Sequence, residues 1–210
     1  MSDQEEQQLS AEDLWEYCLL EYNSENPITR LMINSFFSRI GEIIELLEFD
    51  DRILEVGCGA GESSRRILSF LSGQHFEISE ADCRYVEKLR EGQFPAQVTQ
   101  ESVYGLTRDE DAFDCIFLLE VLEHLEDYER ALEELFRVSR KYVVISIPNE
   151  PLWKILNCFR GRYLRDWGNT PGHINHWSTS KIRKLVSKYG VVREVYTPIP
   201  WIIVLAEVQK

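Results

Sequence analysis

The chain has 210 residues, 44% hydrophobic and 28% charged, with a formal net charge of −13. That length supports one domain with a sizeable core. The acidic balance excludes general nucleic-acid binding, which draws its affinity from phosphate neutralisation, and no apolar run approaches the ~20 residues needed to cross a bilayer.

Met1 to Glu16 carries acids and no base. A secretory leader needs a basic start followed by an apolar run, so a cytoplasmic location is expected. The five cysteines, Cys18, Cys58, Cys83, Cys115 and Cys158, are dispersed without a C-x-x-C pair. Such spacing suits reduced, mostly buried thiols, not a disulfide framework or a zinc site.

Residues 1–9 are polar, acidic and aperiodic, and read as a disordered tail. Ser10 caps a first helix reaching Tyr22, with Asp13 in a variant of the capping box. Asn23 to Pro27 breaks it. A second helix runs from Ile28 to Leu47, its apolar residues recurring at helical spacing. An alternating region follows. Strands are expected at Arg52–Val56, His75–Ile78, Pro95–Thr99, Phe113–Leu118 and Lys141–Ile147. Helices are expected between them at Glu62–Leu71, Glu80–Arg90 and Leu125–Ser139, and Thr107–Ala112 is a charged connection. Continuous apolar strands alternating with helices imply a parallel sheet covered on both faces.

The pattern changes after Pro148. Pro151–Leu164 reads as an aromatic-rich helix and Arg165–Trp177 as a loop. Ser178 caps a helix to Tyr189, and strands Val191–Tyr196 and Trp201–Val208 can pair as a hairpin. Residues 10–210 therefore form one domain: helices at 10–48, an α/β core at 49–148 and an insertion at about 149–177.

The segment Ile53-Leu54-Glu55-Val56-Gly57-Cys58-Gly59-Ala60-Gly61 leads from a strand into a helix. Glycines there allow a tight turn and close approach to a ligand. The spacing is G-x-G-x-G, and Glu62 occupies the position where a dinucleotide fingerprint needs its third glycine. A carboxylate at that helix start would repel a pyrophosphate, which disfavours a nicotinamide oxidoreductase. Glu55, two residues before the first glycine, suits a cationic ligand such as the amino group and sulfonium of S-adenosylmethionine. Glu77 is taken to end the second strand, where an acid can hold two ribose hydroxyls.

These residues resemble motifs one and two of the class I S-adenosylmethionine-dependent methyltransferases. Gln100-Glu101-Ser102-Val103-Tyr104, and Phe113-Asp114-Cys115-Ile116-Phe117 leading into Glu120-Val121-Leu122-Glu123-His124-Leu125, are similar to later segments of the large type 11 group. The likeness covers roughly Ile28 to Lys188. It implies a Rossmann-like, doubly wound, mostly parallel seven-stranded sheet with a C-terminal antiparallel hairpin. It also implies S-adenosyl-L-methionine as cofactor. Glu55, Gly57, Cys58, Gly59 and Gly61 would hold its methionine part. Glu77 would bind the ribose and Ile78 the adenine face. Glu101 and Ser102 would lie at the adenine edge, and Leu119 and Glu120 on the methyl-donor side.

On the acceptor side, His124, His173 and His176 are candidate bases, required only where the acceptor must lose a proton. Glu120, Glu123 and His124 share a face if their helix starts early. With His176 they could form a two-carboxylate, two-histidine metal site, an arrangement similar to that of metal-assisted RNA ribose 2′-O-methyltransferases. Otherwise Glu123 and His124 bond the helix start and the loop. Trp153, Phe159, Tyr163, Trp167 and Trp177 suit either core or an acceptor pocket. Lys154, Arg160, Arg162 and Arg165, with Lys181, Arg183, Lys184 and Lys188, form either a solvated face or a surface for an anionic acceptor. The segment Tyr22 to Arg30 would be a lid. A small-molecule or lipid-like acceptor, amphipathic or anionic, is the leading expectation. The RNA enzyme and a non-catalytic cofactor-binding regulator are the alternatives.

Overall fold

The computed structural model describes residues 10–22, 24–47, 52–149, 152 and 174–209. Two helices come first, α1 (Ala11–Tyr22) and α2 (Pro27–Leu46). Ser10 Oγ accepts from the Asp13 amide, and the Asn26 side chain accepts from Ile28 and Thr29, so both starts are capped. Pro27 fits the first turn of α2 because its missing N–H would have had no helical partner.

The alternating region follows as β1 (Arg52–Val56), α3 (Glu62–Phe70), β2 (His75–Glu80), α4 (Cys83–Glu91), β3 (Gln97–Gln100) and β4 (Phe113–Leu119). A 3₁₀ turn at Leu122–His124 precedes α5 (Tyr128–Val138) and β5 (Ser139–Pro148). After the undescribed stretch come α6 (Thr179–Val186), β6 (Gly190–Tyr196) and β7 (Trp201–Val208). The strands form one seven-stranded sheet in the order β3-β2-β1-β4-β5-β7-β6. The first five run parallel, while β7 pairs antiparallel with both β5 and β6. This is the expected doubly wound sheet with its terminal hairpin.

Two apolar layers flank it. On one face α2, α3 and α4 cover Ile53, Ile78, Cys115 and Phe117; on the other α5 and α6 cover Leu54, Ile116, Leu118 and Val143. Trp177 is among the buried residues of the second layer, edge-on to Tyr128 at 5.0 Å. The expected aromatic helix at 151–164 lies outside the described residues except Leu152, as do His173, the basic residues from Lys154 to Arg165 and the tail 1–9.

Two boundaries differ from expectation in a way that matters for function. Strand β2 continues to Glu80 because its pairing with β1 and β3 persists to Ser79 and Glu80. Helix α4 starts later, because the Asp82 side chain accepts from Arg84 N and so caps it. At the other boundary, α5 begins at Tyr128, capped by Asp127.

Glu77 and Glu101 are buried carboxylates bridged by one guanidinium. Arg108 donates to Glu77 at 2.8 Å, to Glu101 at 3.1 Å and to Thr99 Oγ1 at 2.9 Å. His75 and Arg52 also reach Glu77. Burial would raise the Glu77 pKa, but the His75 bond, the Arg108 charge and the Arg52 bond together hold it below the ordinary carboxylate range. Removing one partner of a buried pair leaves a charge uncompensated. Arg108→Ala should therefore cost about 3 kcal/mol in urea unfolding at neutral pH. A carboxylate with a lowered folded-state pKa stabilises above its unfolded value and loses that effect on acidification. The deficit of the variant should thus shrink as pH falls through the carboxylate range.

Candidate functional site

Strand β1 is central, and the chain leaves it toward β2 on one side and returns to β4 on the other. Open α/β sheets bind ligands at such a reversal, beyond the carboxyl ends of the strands. The glycine loop lies there. Its three glycines have positive φ: 74° at Gly57, 51° at Gly59 and 78° at Gly61. This is the left-handed region, which glycine adopts without strain. The amides of Gly57 and Cys58 both donate to Ser79 O, folding the loop over the end of β2. A Cβ on Gly57 would lie 2.6 Å from Val121 Cγ2, and one on Gly61 2.8 Å from the Phe94 ring. These two glycines are therefore required by the protein's own packing, against the loop after β4 at Gly57 and against the core beside α4 at Gly61. Cys58 is buried beside them.

Side chains alternate across a strand, so residues three apart point to opposite faces. Glu55 shares the face of Ile53 and Ile78, toward α3. Glu80 follows Ile78 on that same face at the strand end. One Glu80 oxygen accepts from Gly59 N at 2.9 Å, and the other from the amides of Ala81 and Asp82. Glu55 is 1% exposed. Ser64 donates to its Oε2, while its Oε1 has no hydrogen-bond partner. Burial raises the Glu55 pKa to about 7, the nearby Ser63 and Ser64 hydroxyls oppose the rise, and the Glu80 charge adds to it.

Several expected site residues stand elsewhere. Glu77 does not end β2. It pairs in register with Leu54, three residues before the strand end and on the face opposite Glu80, inside the Arg108 network. The extra strand residues and the Asp82 cap account for the difference. Ile78 is wholly buried in the core, so it presents no surface to an adenine. The Glu101 carboxylate is consumed by Arg108 and Thr107, and the exposed Ser102 holds the Tyr104 amide.

Leu119 ends β4 and is buried. Glu120 follows with a φ of 57°, and its carboxylate accepts from Ser146 Oγ at 2.7 Å. Glu120, Glu123 and His124 do not share a helical face, because Leu122–His124 is a 3₁₀ turn and Glu120 precedes it. Glu123 is buried and His124 and His176 are exposed. Among the described residues no group of three His, Cys, Asp or Glu side chains is placed to hold a metal ion. The turn is instead latched to the later chain. Ile174 N and Asn175 N donate to Glu123 O, and Asn175 Nδ2 donates to Leu125 O at 2.7 Å. This brings the backbones carrying His124 and His176 side by side.

Residues 22–192 match the model of a family described as a methyltransferase domain. The chain belongs to that family. Among curated proteins, the sterol 24-C-methyltransferase erg6 of Aspergillus fumigatus is 30% identical over 97 residues, covering 42% of this chain and 25% of that protein. The chain thus spans about a quarter of that relative's length. Magnesium protoporphyrin IX methyltransferase from Synechocystis, solved with bound SAH, superposes with a TM-score of 0.66 at 14% identity over 94% of each chain. A SAM-dependent methyltransferase from Aquifex aeolicus gives 0.66 at 16% identity, over 96% of this chain and 100% of that one. These likenesses establish the class I, Rossmann-like methyltransferase fold. No described helix of this methyltransferase domain is long and apolar enough to cross a membrane.

Sequence reasoning does not single out Glu80, Asn175 or the serine pair Ser63-Ser64. The readable signal for Glu80 is Asp82 as a helix cap, which leaves Glu80 as the acid at the strand end. A carboxylate whose folded-state pKa lies above its unfolded value binds protons in the folded state, so stability falls as pH rises between the two values. Glu55→Gln should therefore melt higher than the parent at pH 8, with the difference vanishing near pH 4, as followed by circular dichroism.

Proposed function

We propose that the chain is an S-adenosylmethionine-dependent methyltransferase acting on a small-molecule or lipid-like acceptor. The observation that carries this reading is the buried Glu55 carboxylate with one unpartnered oxygen beneath a left-handed glycine loop. A buried anion lacking a partner is costly unless a donor reaches it. The ammonium of a cofactor's methionine tail is such a donor, and the residues present fit it. Glu80, at the end of β2 beside Gly59, is the acid suited to the two ribose hydroxyls in place of Glu77. The glycine-loop amides can meet the tail's polar atoms, and Leu119 supplies apolar wall at the strand end.

The bound cofactor supplies an activated methyl on sulfonium. The protein's part is alignment, since positioning two reactants supplies much of the rate in such a displacement. Where the acceptor must lose a proton, His124 or His176 can take it from the adjoining backbone segments that Asn175 holds together. The family match and the sterol-methylating relative favour methyl transfer. The residues of the metal-assisted RNA alternative are not gathered in one cluster, so no observation favours it.

Titration of the full chain with S-adenosylhomocysteine tests the reading. Glu80→Gln should weaken binding by roughly tenfold or more, the scale of charge-assisted hydrogen bonds. Glu77→Gln should lower stability and leave affinity intact. Equal losses in both would return the ribose role to Glu77. Gly59→Val should abolish binding, because a β-branched residue resists the left-handed backbone there and its side chain fills the loop. In the parent, affinity should rise as pH passes upward through about 7, where Glu55 ionises. That dependence should disappear in Glu55→Gln.

A further inference from the structure

A cavity of about 330 Å³ opens between the chain entering α2 and the outer side of α3. It is lined by Tyr22, Ser24, Glu25, Arg30, Asn34 and Arg66 among others. All of these except Glu25 can donate hydrogen bonds, and Glu25 is the one carboxylate among the described lining residues. Two positive charges against one negative make it a basic hollow on a protein of net charge −13.

Among the described residues several guanidiniums of the chain are paired with acids, and these two are not. Arg65, beside Arg66 on α3, is paired with Glu62, and Arg52, Arg108 and Arg140 each meet a carboxylate. Among the described residues, Arg30 and Arg66 have no carboxylate within salt-bridge distance. Arg66 is held from below instead, its guanidinium 4.8 Å from the centre of the Phe37 ring. Stacking fixes the plane of a guanidinium and leaves its N–H edges free for a planar oxyanion. Arg66 stands five residues after Gly61. At the helical rise this is roughly 7.5 Å along the axis from the glycine loop. The hollow therefore neighbours the proposed cofactor crevice without sharing its residues.

We propose that this cavity is an oxyanion subsite, in which Arg30 and Arg66 clamp a carboxylate or phosphate group carried by the methyl acceptor. The role of the bound anion as part of the acceptor rests on the methyltransferase reading above; the anion site itself does not. Asn34 and Ser24 complete the donor set, and Glu25 at the rim disfavours anions of higher charge.

The test uses the isotope-labelled full-length chain, titrated separately with inorganic phosphate and with acetate and followed by amide resonances. Saturable shifts confined to residues around Tyr22, Arg30 and Arg66 are expected with one of the two anions, and which one responds identifies the group. Arg66→Gln and Arg30→Gln should each weaken that binding by roughly tenfold, as expected for loss of a charge-assisted pair. Glu25→Gln should tighten it, a sign that a merely structural change would not produce. S-adenosylhomocysteine affinity should stay unchanged in all three. Because Arg66 packs on Phe37, the exposed Arg30 carries the test if Arg66→Gln does not fold. The proposal is overturned if neither anion saturates, or if the arginine variants lose the nucleoside product in parallel, which would assign them to the cofactor site. Failure of the parent to bind S-adenosylhomocysteine while still binding the anion would instead sink the methyltransferase reading alone.

Discussion

Strand β1 is enclosed on both faces and both edges, and the rest of the crevice follows from that enclosure. Glu55 is buried there and takes its partners from the groups packed around it. It finds Ser64 for one oxygen and nothing for the other. The chain must also leave the strand through a narrow gap. Val121, from the loop after β4, closes that gap on one side, and Ser79 at the end of β2 holds the loop amides on the other. Only a residue without a side chain, in the left-handed region, fits at Gly57.

Two acids on β2 show how period-two alternation separates structure from function. Glu77 looks toward the α5 side, where Arg108 neutralises it together with Glu101. Glu80 looks toward α3, where its partners are main-chain amides at the mouth of the crevice. The first acid is compensated by cations and braces the sheet edge. The second places its charge against the glycine loop and raises the proton affinity of Glu55 nearby. Two carboxylates on one short strand thus serve different ends because they differ in depth and in face.

The turn after β4 is organised by main-chain contacts. Asn175 ties the 3₁₀ turn after β4 to the chain leading into α6. Hydrogen bonds to backbone atoms hold position without dictating which side chains stand on top.

The order of strands and helices, the terminal hairpin and the glycine loop are legible in the sequence, because each depends on local periodicity, caps and turn residues. The match at β1, α1, α2 and β7 to within a residue reflects strong caps and apolar runs. The sequence pattern shortens β2 because Ser79 and Glu80 are polar, and only pairing with β1 and β3 keeps them extended. That single difference moves the acid at the strand end from Glu77 to Glu80. The helical face expected for Glu120, Glu123 and His124 does not form for a related reason: Asp127 caps α5 later than the apolar pattern suggests. Which carboxylates are neutralised, which oxygen lacks a partner and which arginines line a hollow depend on residues far apart in the chain. Such pairings follow from packing between elements, and periodicity within an element carries no record of them.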